Sequence, residues 1–194
     1  MKVIGITGGV GCGKSTVLKL LKENFNAYII MADDVAKELM SPGEKAFLQV
    51  VEMFGEGILL PDGSIDRAKL AEIIFNNPNK RMVLNSIVHP LVKSTIVEMI
   101  TKLKIENVYD YVFVEAALLI EDHYDVFCDE LWYIYTPLEQ RTERLKQSRA
   151  YTDEKIAGIV KSQLSEEEFR QKCDVVIENG GSLDFTLAQL VKLL

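Results

Sequence analysis

This chain has few cysteines, no surplus of basic charge and no long apolar run. Its three cysteines, Cys12, Cys128 and Cys173, are widely spaced, odd in number and form no C-x-x-C. A disulfide framework or a cysteine-based zinc site is therefore not expected, and the composition suits a reducing, cytoplasmic compartment. Lys and Arg number 22 against 29 Asp and Glu, a net charge of −7, so the basic face that a nucleic-acid partner requires is not expected. Small anionic substrates stay possible, because local groups rather than net charge capture them. Nowhere do about 18 apolar residues run together, and the short run Val3-Ile4-Gly5-Ile6 is too brief for a signal peptide, so no membrane association is expected. Internal repeats and low-complexity tracts are also lacking. What remains is an ordinary globular balance, 48% hydrophobic and 26% charged over 194 residues, enough for one domain with a real core and read as a monomer.

Short β-rich apolar runs alternate with longer helical patterns. Val3–Thr7, Tyr28–Met31, Tyr111–Val114, Leu131–Tyr135 and Val175–Ile177 read as strands buried on both faces. Between them, Ser15–Asn24 and Leu183–Leu193 repeat apolar residues at three- and four-residue steps, the spacing of an amphipathic helix. Strand alternating with helix predicts an α/β fold, a doubly wound five-stranded parallel sheet. Two stretches break the rhythm. Residues of about 35–103 carry helical patterns punctuated by Pro42-Gly43, Pro61-Asp62-Gly63 and Asn77-Pro78, and read as a helical subdomain within the single domain 1–194. Residues of about 138–169 are strongly charged and helix-friendly, and read as a solvated helical pair or a lid.

Gly8-Gly9-Val10-Gly11-Cys12-Gly13-Lys14-Ser15, followed by Thr16, satisfies the phosphate-loop pattern G-x-x-x-x-G-K-[ST]. Glycines let the backbone wrap so that successive N–H groups face a phosphate, and a helix N-terminus adds its dipole. Lys14 would bridge the β- and γ-phosphates of a nucleoside triphosphate such as ATP, and the Ser15 hydroxyl would ligate Mg²⁺. A chance match in a chain this long is on the order of 1% at ordinary glycine frequencies, and the flanking strand and helix supply the context the motif needs. A mere glycine turn capping a helix is the plain alternative. Cys12 sits at a variable position and reads as a small filler.

Other candidates carry open alternatives. Glu115, directly after the Tyr111–Val114 run, is the best candidate for a carboxylate near the metal, Glu121 a weaker one; a solvated strand-end carboxylate is the alternative. Asp33 and Asp34 precede a helix, where aspartate caps well, or one of them faces an acceptor hydroxyl from a strand's carboxyl end. His89-Pro90 lies among apolar residues and is either structural or a donor to an anionic acceptor; His123 reads as surface. Arg141, Arg144 and Arg149 are either a solvated helix face or lid arginines placed on a transferring phosphate.

Five stretches resemble the dephospho-coenzyme A kinases along nearly the whole chain. They are I-G-I-T-G-G-V-G-C-G-K-S-T at Ile4–Thr16 and A-D-D-V-A at Ala32–Ala36. Next come F-G-E-G-I-L-L-P-D-G-S-I-D-R-A-K-L at Phe54–Leu70 with I-F-N-N-P and H-P-L-V, then E-A-A-L-L-I-E at Glu115–Glu121. The last is S-Q-L-S-E-E-E-F at Ser162–Phe169 with D-V-V-I-E-N-G-G-S at Asp174–Ser182. The resemblance implies a nucleotide-binding core, a helical coenzyme A subdomain and an arginine-bearing lid. It implies transfer of the ATP γ-phosphate to the ribose 3′-hydroxyl of dephospho-coenzyme A. By matched position it implies that Asp33 is the base and that Gly9–Thr16 hold ATP, with Lys14 on the phosphates. Ser15 and Glu115 would hold magnesium. Arg67, His89, Pro90 and Leu118 would line the acceptor site, Asn179 would meet the adenine, and Arg144 and Arg149 would act in catalysis. Met31 stands where the family has its first aspartate and Ala117 where it has a proline. The Arg149-Ala150-Tyr151-Thr152 run is shorter than the family's, which leaves open which lid arginine acts. Nucleoside monophosphate and shikimate kinases are the nearest rivals. A GTPase would need N-K-x-D and D-x-x-G, and neither occurs.

Overall fold

A computed structural model describes residues 1–194. In chain order the elements are β1 (Lys2–Thr7), α1 (Lys14–Asn24), β2 (Ala27–Met31), α2 (Ala32–Leu39), α3 (Phe47–Phe54), α4 (Arg67–Phe75), α5 (Pro78–Glu106), β3 (Tyr111–Glu115), β4 (Glu130–Tyr135), α6 (Leu138–Arg149), α7 (Asp153–Lys161), α8 (Glu166–Lys172), β5 (Val175–Glu178) and α9 (Leu183–Leu193). The five strands form one sheet in the order β2-β3-β1-β4-β5. β1 runs parallel to β3 and β4, and β4 parallel to β5. All five expected strands are therefore present, each within one or two residues of its expected bounds. The order places β1 in the middle, so the loop leaving its carboxyl end has neighbouring strand ends on both sides, the place where open α/β sheets take ligands.

The chain divides into two compact units, Met1–Ile29 with Glu106–Leu194, and Ile30–Ile105. In the first, Ile4, Ile6, Phe113, Trp132, Ile134 and Ile177 from the strands pack with Val17, Leu18, Leu21 and Leu190 from the helices. The strands are apolar on both faces because helices cover both. Fully burying each such side chain contributes about 1.5–3 kcal/mol. Phe113 and Trp132 meet at 5.7 Å between ring centroids, and Tyr133 stacks on Phe169 of α8 at 4.7 Å. The charged stretch after β4 is three helices rather than a pair, and α8 runs three residues beyond the expected end at 169. Its solvated, Glu-rich start is a good N-terminus: Ser165 and Glu168 form a reciprocal capping box.

Beyond the end of β2 at Met31, the second unit is helical apart from a single antiparallel bridge between Leu59 and Ile65 that closes the Pro61-Asp62-Gly63 turn. Its longest element, α5, spans 29 residues and continues through Pro90. By length and composition it is apolar enough to cross a membrane. Yet Leu84, Val88, Val92, Ile96 and Ile100 recur every four residues as a buried stripe, the pattern of a helix packed within a protein.

Candidate active site

The loop between β1 and α1 is the site's foundation. Gly13 is the N-cap of α1 with φ of 87°, a left-handed conformation that glycine adopts without the steric cost of a side chain. A Cβ there would also strike the amide of Asn179. A side chain at Gly9 would collide with the Arg141 guanidinium. The Lys14 and Ser15 amides open α1 and have no intrahelical acceptor, so they and the helix dipole favour an anion. Lys14 Nζ donates to the Gly8 carbonyl at 2.8 Å and lies 3.9 Å from Glu115 Oε1. Glu115 is the last residue of β3, opposite Ile6 of β1 in the ladder, and is buried. The solvated-carboxylate alternative for Glu115 is thereby excluded: its side chain faces the loop's lysine.

A second layer grips the loop's backbone. Arg141 Nε donates to the Val10 carbonyl at 2.8 Å, and the Gln163 side-chain oxygen accepts from the Val10 N–H at 3.0 Å. Thr136, just past β4, donates through its hydroxyl to the Cys12 carbonyl at 3.0 Å. Arg144 donates to the Thr136 hydroxyl at 3.3 Å and to the Asn179 carbonyl at 3.0 Å. Arg141 and Arg144 are thus half-buried in the core's hydrogen bonding, not a solvated face. Arg149 ends α6 in solvent, beside the Tyr151 ring. It makes no contact with the loop, whereas Arg141 reaches the Val10 carbonyl and Arg144 lies beside Gly13.

Asn179 has a structural role at the loop. Its Nδ2 donates to the carbonyls of Cys12 at 2.8 Å and Gly13 at 3.4 Å, and its Oδ1 accepts from Thr186 at 3.0 Å. The buried side chain thus braces the loop through its amide nitrogen, while its oxygen, which can accept two hydrogen bonds, takes one from Thr186. Cys12 is also buried, and burial raises its thiol pKa, with Lys14 opposing. It is a packing residue, as its variable motif position suggests.

Within the helical unit, Asp33 and Asp34 lie in the first turn of α2, but the N-cap is Met31 and no side chain caps the helix. Capping is therefore not what either aspartate does. Asp34 pairs with Lys37 at 2.6 Å, while Asp33 is exposed. Arg67 opens α4, donates to the Lys37 carbonyl at 3.2 Å, and lines a cavity of about 260 Å³ with Ser41 and Ser64. His89 is half-buried and Pro90 exposed on α5; Leu118 is exposed in the turn after β3. No group of three His, Cys, Asp or Glu side chains converges as a metal cage. Magnesium bound with a nucleotide needs none, since it keeps waters and takes one or two protein ligands beside phosphate oxygens. The Ser15 hydroxyl and the Glu115 carboxylate are donors of the right kind for that.

Sequence reasoning did not mark Thr136, and it included Gln163 in the Ser162–Phe169 stretch without giving it a role. Neither belongs to the loop motif, and each acts through contacts made only in the folded chain.

Known proteins resemble this chain along nearly its whole length. A family model described as dephospho-CoA kinase matches residues 2–184. The chain is 38% identical over 194 residues to a dephospho-CoA kinase of Carboxydothermus hydrogenoformans, covering 100% of this chain and 93% of that one. It is 37% identical over 192 residues to one of Bacillus licheniformis, covering 99% and 94%. The solved dephospho-CoA kinase of Campylobacter jejuni superposes with a TM-score of 0.73 at 29% identity, covering 99% of this chain and 96% of that chain. A shikimate kinase of Acinetobacter baumannii, at 16% identity and TM-score 0.52, shares the fold. With a phosphate loop braced by Arg141 and Asn179, and with similarity over the full length, the chain belongs to the dephospho-CoA kinase family.

Proposed function

We propose that this chain transfers the γ-phosphate of ATP to the ribose 3′-hydroxyl of dephospho-coenzyme A, giving coenzyme A and ADP, the last step of coenzyme A synthesis. The observation that carries the reading is a complete phosphate loop, with Lys14, Glu115 and Arg141 set around it, inside a chain that matches the family from residue 2 to residue 184. In the reaction the bond between the γ-phosphorus and the β–γ bridging oxygen breaks and one to the 3′-oxygen forms. The hydroxyl proton leaves with its acceptor, for which Asp33 is our candidate on its motif and its place directly after β2. Lys14 and the amides at the start of α1 hold the β- and γ-phosphates; Arg141 meets the charge spread over the transferring group, where a preorganised cation is most effective. Ser15 and Glu115 are the residues that would hold Mg²⁺, which when bound neutralises phosphate charge. Arg67, His89, Pro90 and Leu118 are our candidates for the acceptor side. Three free cysteines suit a cytoplasmic setting.

Mass spectrometry of coenzyme A formed from dephospho-coenzyme A and Mg-ATP tests the assignment. AMP, adenosine and shikimate serve as competing acceptors. Dephospho-coenzyme A should be preferred at least a hundredfold, roughly 3 kcal/mol of discrimination. Equal rates with AMP or shikimate would overturn it.

A further inference from the structure

We infer that Gln163 is a positioning residue for the phosphate loop, acting through the Gly9–Val10 peptide, an inference that rests on the kinase reading above. Gln163 lies in the four-residue link between α7 and α8, and that link is fixed at both ends. The Ser162 and Gln163 amides donate to Ile159 and Val160, finishing α7. Ser165 and Glu168 cap α8, and Phe169 anchors that helix on Tyr133 of the central sheet. The side chain of Gln163 therefore projects from a held turn.

Its target is specific. Gln163 Oε1 accepts from the Val10 N–H at 3.0 Å, while Arg141 Nε donates to the Val10 carbonyl at 2.8 Å. These two groups belong to successive peptide planes. No cis peptide occurs in the chain, and in a trans peptide the N–H and C=O point in opposite directions. With the Val10 N–H turned to Gln163, the Gly9 carbonyl on the same plane turns inward, where it accepts from Cys12 N at 3.2 Å and closes the loop's tight turn. With the Val10 carbonyl turned to Arg141, the Gly11 N–H on that plane faces away from the arginine. Gln163 thus sets one plane and Arg141 the next, and glycine on either side leaves the loop little stiffness of its own. Their hydrogen bonds also polarise the same short stretch, which strengthens each.

The opposite sense would be a plug that occupies an amide the triphosphate would otherwise take. The inward bond from the same peptide favours the brace, because removing Gln163 frees a plane whose other end closes the turn. The two senses predict opposite signs.

The test is Gln163→Met, which keeps length and loses the acceptor, beside Gln163→Glu, which keeps an acceptor oxygen. ATP affinity is measured by calorimetry, and KM and kcat by coenzyme A formation. Gln163→Met should weaken ATP binding and lower kcat/KM for ATP about tenfold, the scale of one hydrogen bond, with KM for dephospho-coenzyme A unchanged. Gln163→Glu should recover part of the ATP affinity. An Arg141→Lys, Gln163→Met double variant should lose less than the product of the single losses, since both act on one loop. Tighter ATP binding in Gln163→Met, or a lowered melting temperature with unchanged kinetics at 25 °C, would overturn the inference. If the unmodified chain itself makes no coenzyme A but still binds ATP, the kinase reading fails, and the calorimetric comparison still decides the role of Gln163.

Discussion

Asn179 donates from its side-chain amide to the carbonyl of Cys12 at 2.8 Å, across 167 positions of sequence. The bond ties the segment after β5 to the phosphate loop after β1, and Thr186 holds the amide's other end at 3.0 Å. One buried side chain therefore links the first functional motif of the chain to its last helix.

Removing that side chain should cost both stability and ATP affinity. Asn179→Ala leaves the Cys12 carbonyl with Thr136 alone and the buried Thr186 hydroxyl with only its longer bond to the Ser182 carbonyl at 3.3 Å. A loss of about 2–3 kcal/mol is expected from an emptied buried network, read by urea unfolding, with a raised KM for ATP. Thr186→Val frees only the amide oxygen and should cost about half as much. An Asn179→Ala variant with full stability but poorer discrimination of ATP from GTP would return this residue to base recognition.

Lys14→Ala removes the cation nearest the phosphates and leaves buried Glu115 without that counter-charge. Turnover should fall about 10²-fold or more, as for other preorganised electrostatic groups. Near-normal coenzyme A formation by this variant would mean that the loop is not the working site.

The arginines separate by position. Arg141→Ala loses the Val10 bond and a cation beside Gly9, so kcat should drop at least tenfold with little change in KM for dephospho-coenzyme A. Arg149→Ala loses only an exposed stacking contact with Tyr151 and should be nearly silent. Equal losses at the two positions would require Arg149 to approach the phosphates when substrates bind.

This contrast marks how far the sequence could be read. The strands were legible because each is a short apolar run between turn signals, and the loop because its residue types are dictated by phosphate geometry. Glu115 was legible from its place at a strand end. The choice among Arg141, Arg144 and Arg149 was not, because spacing along α6 says nothing about which side of the helix meets the loop. The bond from Asn179 to the Cys12 carbonyl was not legible, since a motif fixes a position and leaves the orientation of a buried amide undetermined. The helical pattern around His89-Pro90 was legible, and α5 runs on through Pro90 because the loss of one backbone bond is small beside a buried stripe of five aliphatic residues.

The cysteines should be nearly inert in the folded protein. Burial pushes the Cys128 and Cys173 thiols up to about 12, with Asp129 and Asp174 respectively adding to the shift, and it raises Cys12 as well. Only the thiolate reacts with alkylating reagents. At pH 8 a thiol of pKa about 12 is roughly one part in 10⁴ ionised, against about a quarter for an ordinary thiol near 8.5. Iodoacetamide labelling, followed by mass spectrometry, should be at least 10²-fold slower in the native protein than in urea. Rapid native labelling of Cys12 would mean that the phosphate loop opens readily.

The last prediction separates a base from a bystander at Asp33. In a loose phosphoryl-transfer transition state the acceptor hydroxyl becomes acidic only as its oxygen bonds to phosphorus, so a carboxylate need not strip the proton early. It orients the hydroxyl first and takes the proton late. Asp33→Asn keeps the shape and one acceptor oxygen but is a poor proton acceptor, and Asp33 caps no helix and pairs with no cation. Its kcat should therefore fall about 10²–10⁴-fold, the range of positioned acid–base groups, with ATP affinity and unfolding midpoint nearly unchanged. Asp34→Asn breaks an exposed pair with Lys37 at 2.6 Å, an interaction of about 1 kcal/mol or less, and should leave kcat intact. Should both variants lose rate alike, or should Asp33→Asn lose stability and keep its rate, the proton would have to leave by another group.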